Sequence, residues 1–341
     1  FDHVRAFANE LREDRVGETI THVVNRNINY TNTCLYRCGF CAFSKGSTRS
    51  ERGPAYNIDH QEIARRTVEA WERGASEVCL QGGIHPSYDG RTYRGIVEAV
   101  KAAVPQMHVH AFSPLEVHHG ATTLGLSYED YLTDLKEAGL ATLPGTAAEI
   151  LSDDIRSVIC ADKVNTQEWL SVMRAAHKVG LPSTATIMFG HVETYDHWAE
   201  HLLQLRMLQQ ETGGFTEFVP LPFVHMEAPN WRRGETRSGP TWRETVLMHA
   251  VARIALDGAI SNIQTSWVKL GPDGAAAMLQ SGANDLGGTL MDESITRAAG
   301  GVNGQIFDVP QMQLLADGLG RPLRERSTVY GQRSGQLTLA G

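Results

Sequence analysis

Basic residues are few and scattered. Lys and Arg number 31 against 39 Asp and Glu, the formal net charge is −8, and no basic run exceeds Arg232-Arg233. A nucleic-acid binder presents a basic face to phosphates, so no nucleic-acid partner is expected. No apolar run approaches the ~20 residues a membrane span needs, and no signal peptide is visible, so no membrane partner is expected either. Cysteine is scarce and odd in number: of five, Cys34, Cys38 and Cys41 lie together, while Cys79 and Cys160 stand alone. That is not the disulfide framework of a secreted domain; it suits a metal and a reducing compartment, the cytoplasm. A chain that opens on Phe1 rather than Met is expected to lack its native N-terminus.

What is present is an alternation of short apolar stretches and longer helical ones. Stretches 21–32, 77–81, 107–112, 141–143, 183–189, 214–220 and 261–268 read as strands, with an eighth near Asp285. Helical periodicity runs over 61–72, 93–104, 128–138, 166–179, 196–210, 242–255 and 274–280, and Gly139 and Gly180 stand where two helices stop. At 42% hydrophobic over 341 residues, the chain can build one large core. Eight β–α repeats without a long linker predict an α/β fold, a (β/α)8 barrel of the TIM type with a C-terminal extension. An open doubly wound sheet is the competitor. The expected division is a helical lead-in over 1–20, the barrel over 21–300, and a C-terminal helix and tail over 301–341.

Alternate residues of a strand share a face. Asn25, Asn27 and Asn29 therefore share one, as do His108 and His110, and Thr184, Thr186 and Met188; Glu217 sits mid-strand. Barrel lumens are ordinarily filled by Val, Ile and Leu, and buried polar groups cost free energy unless hydrogen-bonded. A polar ligand inside the barrel supplies the partners on one reading; a water-filled, hydrogen-bonded core supplies them on the other.

Cys34, Cys38 and Cys41 form a C-x3-C-x2-C triad just after the first strand, at the end of the barrel where active sites sit. Thiolates are the usual ligands of iron–sulfur clusters, and a closed zinc site wants four ligands. Three local thiols predict a [4Fe-4S] cluster with one iron open to chemistry, to which S-adenosyl-L-methionine (SAM) can chelate. Cys79 and Cys160 read as small buried hydrophobes, and His118-His119 as loop surface.

The stretch Asn25-Arg-Asn-Ile-Asn-Tyr-Thr-Asn-Thr-Cys34 through Cys41-Ala-Phe-Ser resembles the radical SAM branch that builds deazaflavins and related quinone precursors. Further blocks agree: Gln81-Gly-Gly-Ile-His-Pro86, His108-Val-His-Ala-Phe-Ser-Pro114, Pro144-Gly-Thr-Ala-Ala-Glu-Ile150, Phe215-Thr-Glu-Phe-Val-Pro-Leu-Pro-Phe223, Gln264-Thr-Ser-Trp-Val-Lys-Leu-Gly271 and Ala283-Asn-Asp-Leu-Gly-Gly-Thr289. Together, over about 21–300, they resemble the tyrosine-coupling component of FO synthase. The resemblance implies a radical SAM barrel that joins the p-hydroxybenzyl group of L-tyrosine to 5-amino-6-(D-ribitylamino)uracil. A 5′-deoxyadenosyl radical takes hydrogen from tyrosine, the Cα–Cβ bond breaks, the benzyl fragment adds to the uracil, and a glycine-derived imine leaves. A reductant such as ferredoxin or flavodoxin, and a second radical SAM enzyme that closes the deazaflavin ring, are the implied partners. The single triad fits a free subunit or one half of a fusion.

The resemblance also distributes roles. Phe40 packs near the SAM adenine, and Gln81, Gly82 and Gly83 stand where backbone meets the SAM amine, though without the superfamily's usual Glu. Glu149 either bonds the SAM ribose or is a helix-start charge favoured by the dipole. His191 and Glu193 are further SAM candidates. Asn29, Gln264, Thr265, Asn284 and Asp285 suit the donor–acceptor edge and hydroxyls of a ribitylaminouracil. Tyr30, His85, His225 and Trp267 suit an aromatic ring or phenol, and His85 and His225 are the candidates for proton transfer. A menaquinone-pathway radical SAM cyclase or a tyrosine lyase would share the cluster but lack the uracil site. A non-catalytic iron–sulfur electron carrier is the alternative of another class; it would need no open iron.

Overall fold

The computed structural model describes residues 1–45 and 54–331. Its strands are β1 (Ile20–Val23), β2 (Asn25–Asn29), β3 (Glu77–Gln81), β4 (His108–Ala111), β5 (Ser183–Phe189), β6 (Phe215–Pro222), β7 (Asp285–Gly288) and β8 (Leu323–Glu325). β2, β3 and β4 pair in parallel. The ladder continues through His110 with Thr142 and Leu143 with Ser183, then through β5 with β6, Phe218 with Ile263 and Gln264 with Asp285. β7 returns to β1, and β1 and β2 are one strand interrupted at Val24, so the ring closes. This is the eight-strand parallel barrel; the open sheet is excluded. The fourth and seventh barrel strands are only bridges at 142–143 and 263–264.

Helices over His60–Glu72, Gly90–Ala103, Tyr128–Ala138, Thr166–Lys178, Tyr195–Thr212 and Trp242–Ala255 jacket the ring. Their starts follow from capping: Asp59, Asp89, Ser127, Asn165 and Thr241 each stand at an N-cap, where a side-chain oxygen takes an orphan N–H. A helix at Pro114–Leu124 adds to those expected from periodicity; Ser113 and Glu116 form its capping box, with Pro114 in its first turn. Stretch 261–268, expected to be one strand, is not. Only its first half pairs, and Trp267 already opens a helix that runs to Leu279 across a break at Gly271. Among the described residues, no helix is long and apolar enough to cross a membrane.

The C-terminal extension is more than a helix and tail. After the helix Val309–Gly318, β8 adds to the edge of β1 and the chain turns under the barrel. Arg326 donates to Asp285 at 2.5 and 2.9 Å and to Glu217 at 3.2 Å. Thr328 donates to Glu77 at 2.6 Å, and Tyr330 donates to Glu217. Glu77 also accepts from Asn25, and His108 and His110 both meet the Thr142 hydroxyl at 2.8 Å. The polar floor of the lumen is thus satisfied by the protein itself. The remainder of the expected tail, 332–341, lies outside the described residues.

Candidate active site

The triad loop leaves the top of β2 and is gripped from three sides. The Gly39 amide donates to Ile159 at 2.8 Å, and the Asn230 amide donates to the Gly39 carbonyl at 2.8 Å. The Arg37 amide donates to Asp162 at 2.8 Å. The glycines after β3 bring that strand's end against the loop. A Cβ at Gly82 would lie 2.4 Å from the Tyr30 ring, and one at Gly83 2.2 Å from the Thr33 carbonyl, so both positions require glycine for packing. The Ile84 amide then donates to Cys34 Sγ at 3.3 Å, and the Ser44 amide to Cys41 Sγ at 3.4 Å.

Among the described residues, no three His, Cys, Asp or Glu side chains close on one point as a single ion needs. A four-iron cluster spreads its ligands over several irons, so the triad is judged by its surroundings. Burial pushes all three thiols above their ordinary pKa; buried thiols become thiolates when a metal takes the proton's place. Two receive N–H donors, and a cation stands beside the third. The donor set of Cys34, Cys38 and Cys41 fits an anionic cluster bound by three thiolates.

That cation is Lys163, which the sequence reading missed because nothing marks it out among the chain's lysines. Its ammonium sits 2.5 Å from Glu149 and 5.5 Å over the Phe40 ring. Burial lowers its pKa, but Glu149, Cys38 and Cys160 together outweigh burial and raise it above the ordinary lysine value. The loop carrying Glu149 is strained: Ala147 and Glu149 both have left-handed φ, 64° and 46°. Buried Arg156 pins it by donating to the carbonyls of Ala147, Ala148, Ile150 and Val164.

The other candidates fall into two groups. Several are occupied inside the protein. Tyr30 is fully buried, its hydroxyl donates to Glu116, and its ring packs on Tyr88 and Phe112. His191 donates from Nε2 to Met188 and accepts the Val192 amide at Nδ1. Glu193 takes the amides of Gly190 and His191 and the Trp198 indole. Asn284 accepts from Arg253 and the Ile263 amide, on the helix side of the sheet. Asp285 is held by Arg326 and Thr21, and the Trp267 indole donates to Gly288. All six are hydrogen-bonded within the protein.

The second group stays around the mouth with capacity to spare. Gln264 lies over Gly287, where a Cβ would come within 2.2 Å of its Nε2; its backbone amide donates to Phe218 at 3.0 Å, while its side-chain amide has no hydrogen-bond partner among the described residues. The Thr265 hydroxyl and Asn27 Oδ1 are buried without partners; Asn27 was legible only as one of three on the lumen face. Gln81 reaches Cys79 Sγ at 3.6 Å. Asn29 donates to the Gln81 carbonyl and accepts from Ser294. His85 meets Ser87 at 2.8 Å, and the His225 ring lies 4.7 Å from Trp231; both are half-buried.

A closed parallel barrel with a fitted three-thiol cradle at its C-terminal mouth defines the class: a radical SAM enzyme. A profile of the radical SAM superfamily matches residues 28–205, and one of the CofH/MqnC C-terminal region matches 212–335. Methylornithine synthase (PylB) shares the fold at TM-score 0.72 and 17% identity, covering 94% of this chain and 88% of that one. The FO synthase of Nocardia farcinica is 54% identical over 97% of this chain, which spans 38% of that protein's length. The 5-amino-6-(D-ribitylamino)uracil–L-tyrosine 4-hydroxyphenyl transferase of Methanocaldococcus jannaschii is 47% identical over 95% of this chain and 90% of its own. The chain belongs to the radical SAM superfamily and, within it, to the family of that transferase.

Proposed function

We propose that this chain joins the p-hydroxybenzyl group of L-tyrosine to 5-amino-6-(D-ribitylamino)uracil, the tyrosine-coupling step of FO synthesis. The observation that carries the reading is the cradle itself, which opens onto an upper lumen whose amide and hydroxyl groups lack protein partners. The name of the M. jannaschii relative supplies the substrates. The cluster, when bound, supplies the electron that cleaves SAM. Cys34, Cys38 and Cys41 hold it, Lys163 offsets its negative charge, and Phe40 and Glu149 line the SAM side. Asn27, Gln264 and Thr265 offer the hydrogen bonds a uracil edge and ribityl hydroxyls require. His85 and His225, half-buried at the mouth loops, remain the groups proposed to move a proton. A ferredoxin or flavodoxin delivers the electron, and a second radical SAM enzyme takes the product.

The test is anaerobic reconstitution followed by incubation with SAM, a reductant, L-tyrosine and 5-amino-6-(D-ribitylamino)uracil, with products read by mass spectrometry. A benzylated uracil adduct that requires both substrates is the expected result. Deoxyadenosine without an adduct would reject the coupling and point to a menaquinone-type substrate; no deoxyadenosine would revive the electron carrier.

A further inference from the structure

Two opposite charges face the mouth from the last two β–α loops, and neither is paired with the other. Lys269 lies in the first turn after the 263–264 strand. Among the described residues, its Nζ has one polar neighbour, the Thr296 hydroxyl at 3.5 Å, and no carboxylate within ion-pair distance. Glu293 follows β7 and is 4% exposed. Its Oε1 accepts the Thr296 amide at 2.7 Å, while Oε2 is buried without a partner. Thr296 therefore anchors both groups. The backbone leading to Glu293 is strained, with left-handed φ at Leu290, Met291 and Asp292, and such strain persists where the surroundings hold it for a purpose. Burial lowers the Lys269 pKa, opposed by the charges of Glu293 and Glu149, so a carboxylate ligand beside it would hold the ammonium charged.

A half-buried ammonium and a buried carboxylate, held apart on one threonine, make poor sense as a structural pair. An ion pair contributes most when its partners touch. They complement a ligand that carries both charges on adjacent atoms. We infer that Lys269 and Glu293 seat the α-carboxylate and α-ammonium of the amino-acid substrate. This rests on the coupling reading and adds which residues select an amino acid over other phenols. SAM also carries an α-amino-carboxylate, but that group would chelate the open iron of the cluster held by Cys34, Cys38 and Cys41.

The inference is tested on reconstituted, cluster-loaded protein with SAM present. Equilibrium dialysis would compare labelled tyrosine with tyramine, which lacks the carboxylate, and with 3-(4-hydroxyphenyl)propionate, which lacks the amine. Wild-type protein should favour tyrosine over both analogues. Lys269→Met should weaken tyrosine roughly 10- to 100-fold, the span of a charge-assisted hydrogen bond, down to the level of tyramine. Tyramine and SAM affinities should stay unchanged, and Lys269→Arg should recover part of the loss. Glu293→Gln should erase the preference for tyrosine over the propionate. Equal weakening of tyrosine and tyramine, or a loss of SAM affinity with tyrosine untouched, would overturn the assignment. Adduct formation by wild-type protein alongside normal tyrosine binding by Lys269→Met keeps the coupling and rejects the seat. Wild-type protein that neither binds tyrosine nor forms adduct removes both.

Discussion

At the floor of the barrel, Glu77, Glu217 and Asp285 meet Asn25, Thr328, Tyr330 and Arg326. At the mouth, Asn27, Thr265 and Glu293 keep buried polar atoms that no neighbour answers. Both ends are polar where an ordinary barrel is aliphatic, yet they are polar for different reasons. A buried polar atom left unpaired costs on the order of 1–3 kcal/mol. The floor avoids that cost by threading the chain's last described segment beneath the strands. The mouth carries it at Asn27, Thr265 and Glu293, and a ligand seated beside the metal cradle would complete their bonding.

The comparison is broken most severely at the mouth by Cys38→Ala. It should abolish iron loading and deoxyadenosine formation, while the thermal midpoint of the metal-free protein moves by only a few degrees, because the floor is untouched. A variant that kept its full iron content would remove Cys38 from the ligand set. At the floor, Arg326→Met leaves two buried carboxylates without their guanidinium. Urea unfolding at pH 7 should show a loss of about 3–5 kcal/mol; a loss below about 1 kcal/mol would show that the floor tolerates unpaired charge.

A smaller effect sharpens the same point through pH. Burial, with Asp285 adding to it, outweighs Arg326 and raises Glu217 from 4.5 to about 7. The folded state holds this proton more tightly than the unfolded chain. The associated stability is therefore complete below about pH 4.5 and is lost as pH rises toward 7, by at most about 3 kcal/mol. Glu217→Gln cannot titrate, so thermal midpoints of the two proteins should draw apart across that window, with wild type falling relative to the variant. Parallel curves would mean that Glu217 stays ionised throughout.

Much of this was legible in the sequence. Strands at Glu77–Gln81 and Ser183–Phe189 and the helices Tyr128–Ala138 and Trp242–Ala255 fall where apolar periodicity places them. The shared lumen face of Asn25, Asn27 and Asn29 follows from alternation alone. What escaped is instructive. Arg326 and Tyr330 are far in sequence from Asp285 and Glu217, and periodicity carries no record of long-range pairing. The internal partners of Asp285, Tyr30, His191 and Asn284 were for that reason not legible. Lys163, in a connecting loop, and Arg156, in a short helix, are ordinary cations until the loop after Thr142–Leu143 folds around them. The helix at Pro114–Leu124 has its signal in Ser113-Pro-Leu-Glu116, which looks from sequence like the end of a strand block.

The grip on the cysteine loop bears on the order of assembly. Gly39 is bonded to Ile159 and Asn230, and Cys34 to Ile84, so the thiols converge only after β–α units far apart in the chain have come together. Such non-local contacts form late and slowly in folding. The cradle is then a product of the finished barrel rather than a nucleus for it, and iron, binding only what is already folded, acts as a lock on the native state by mass action.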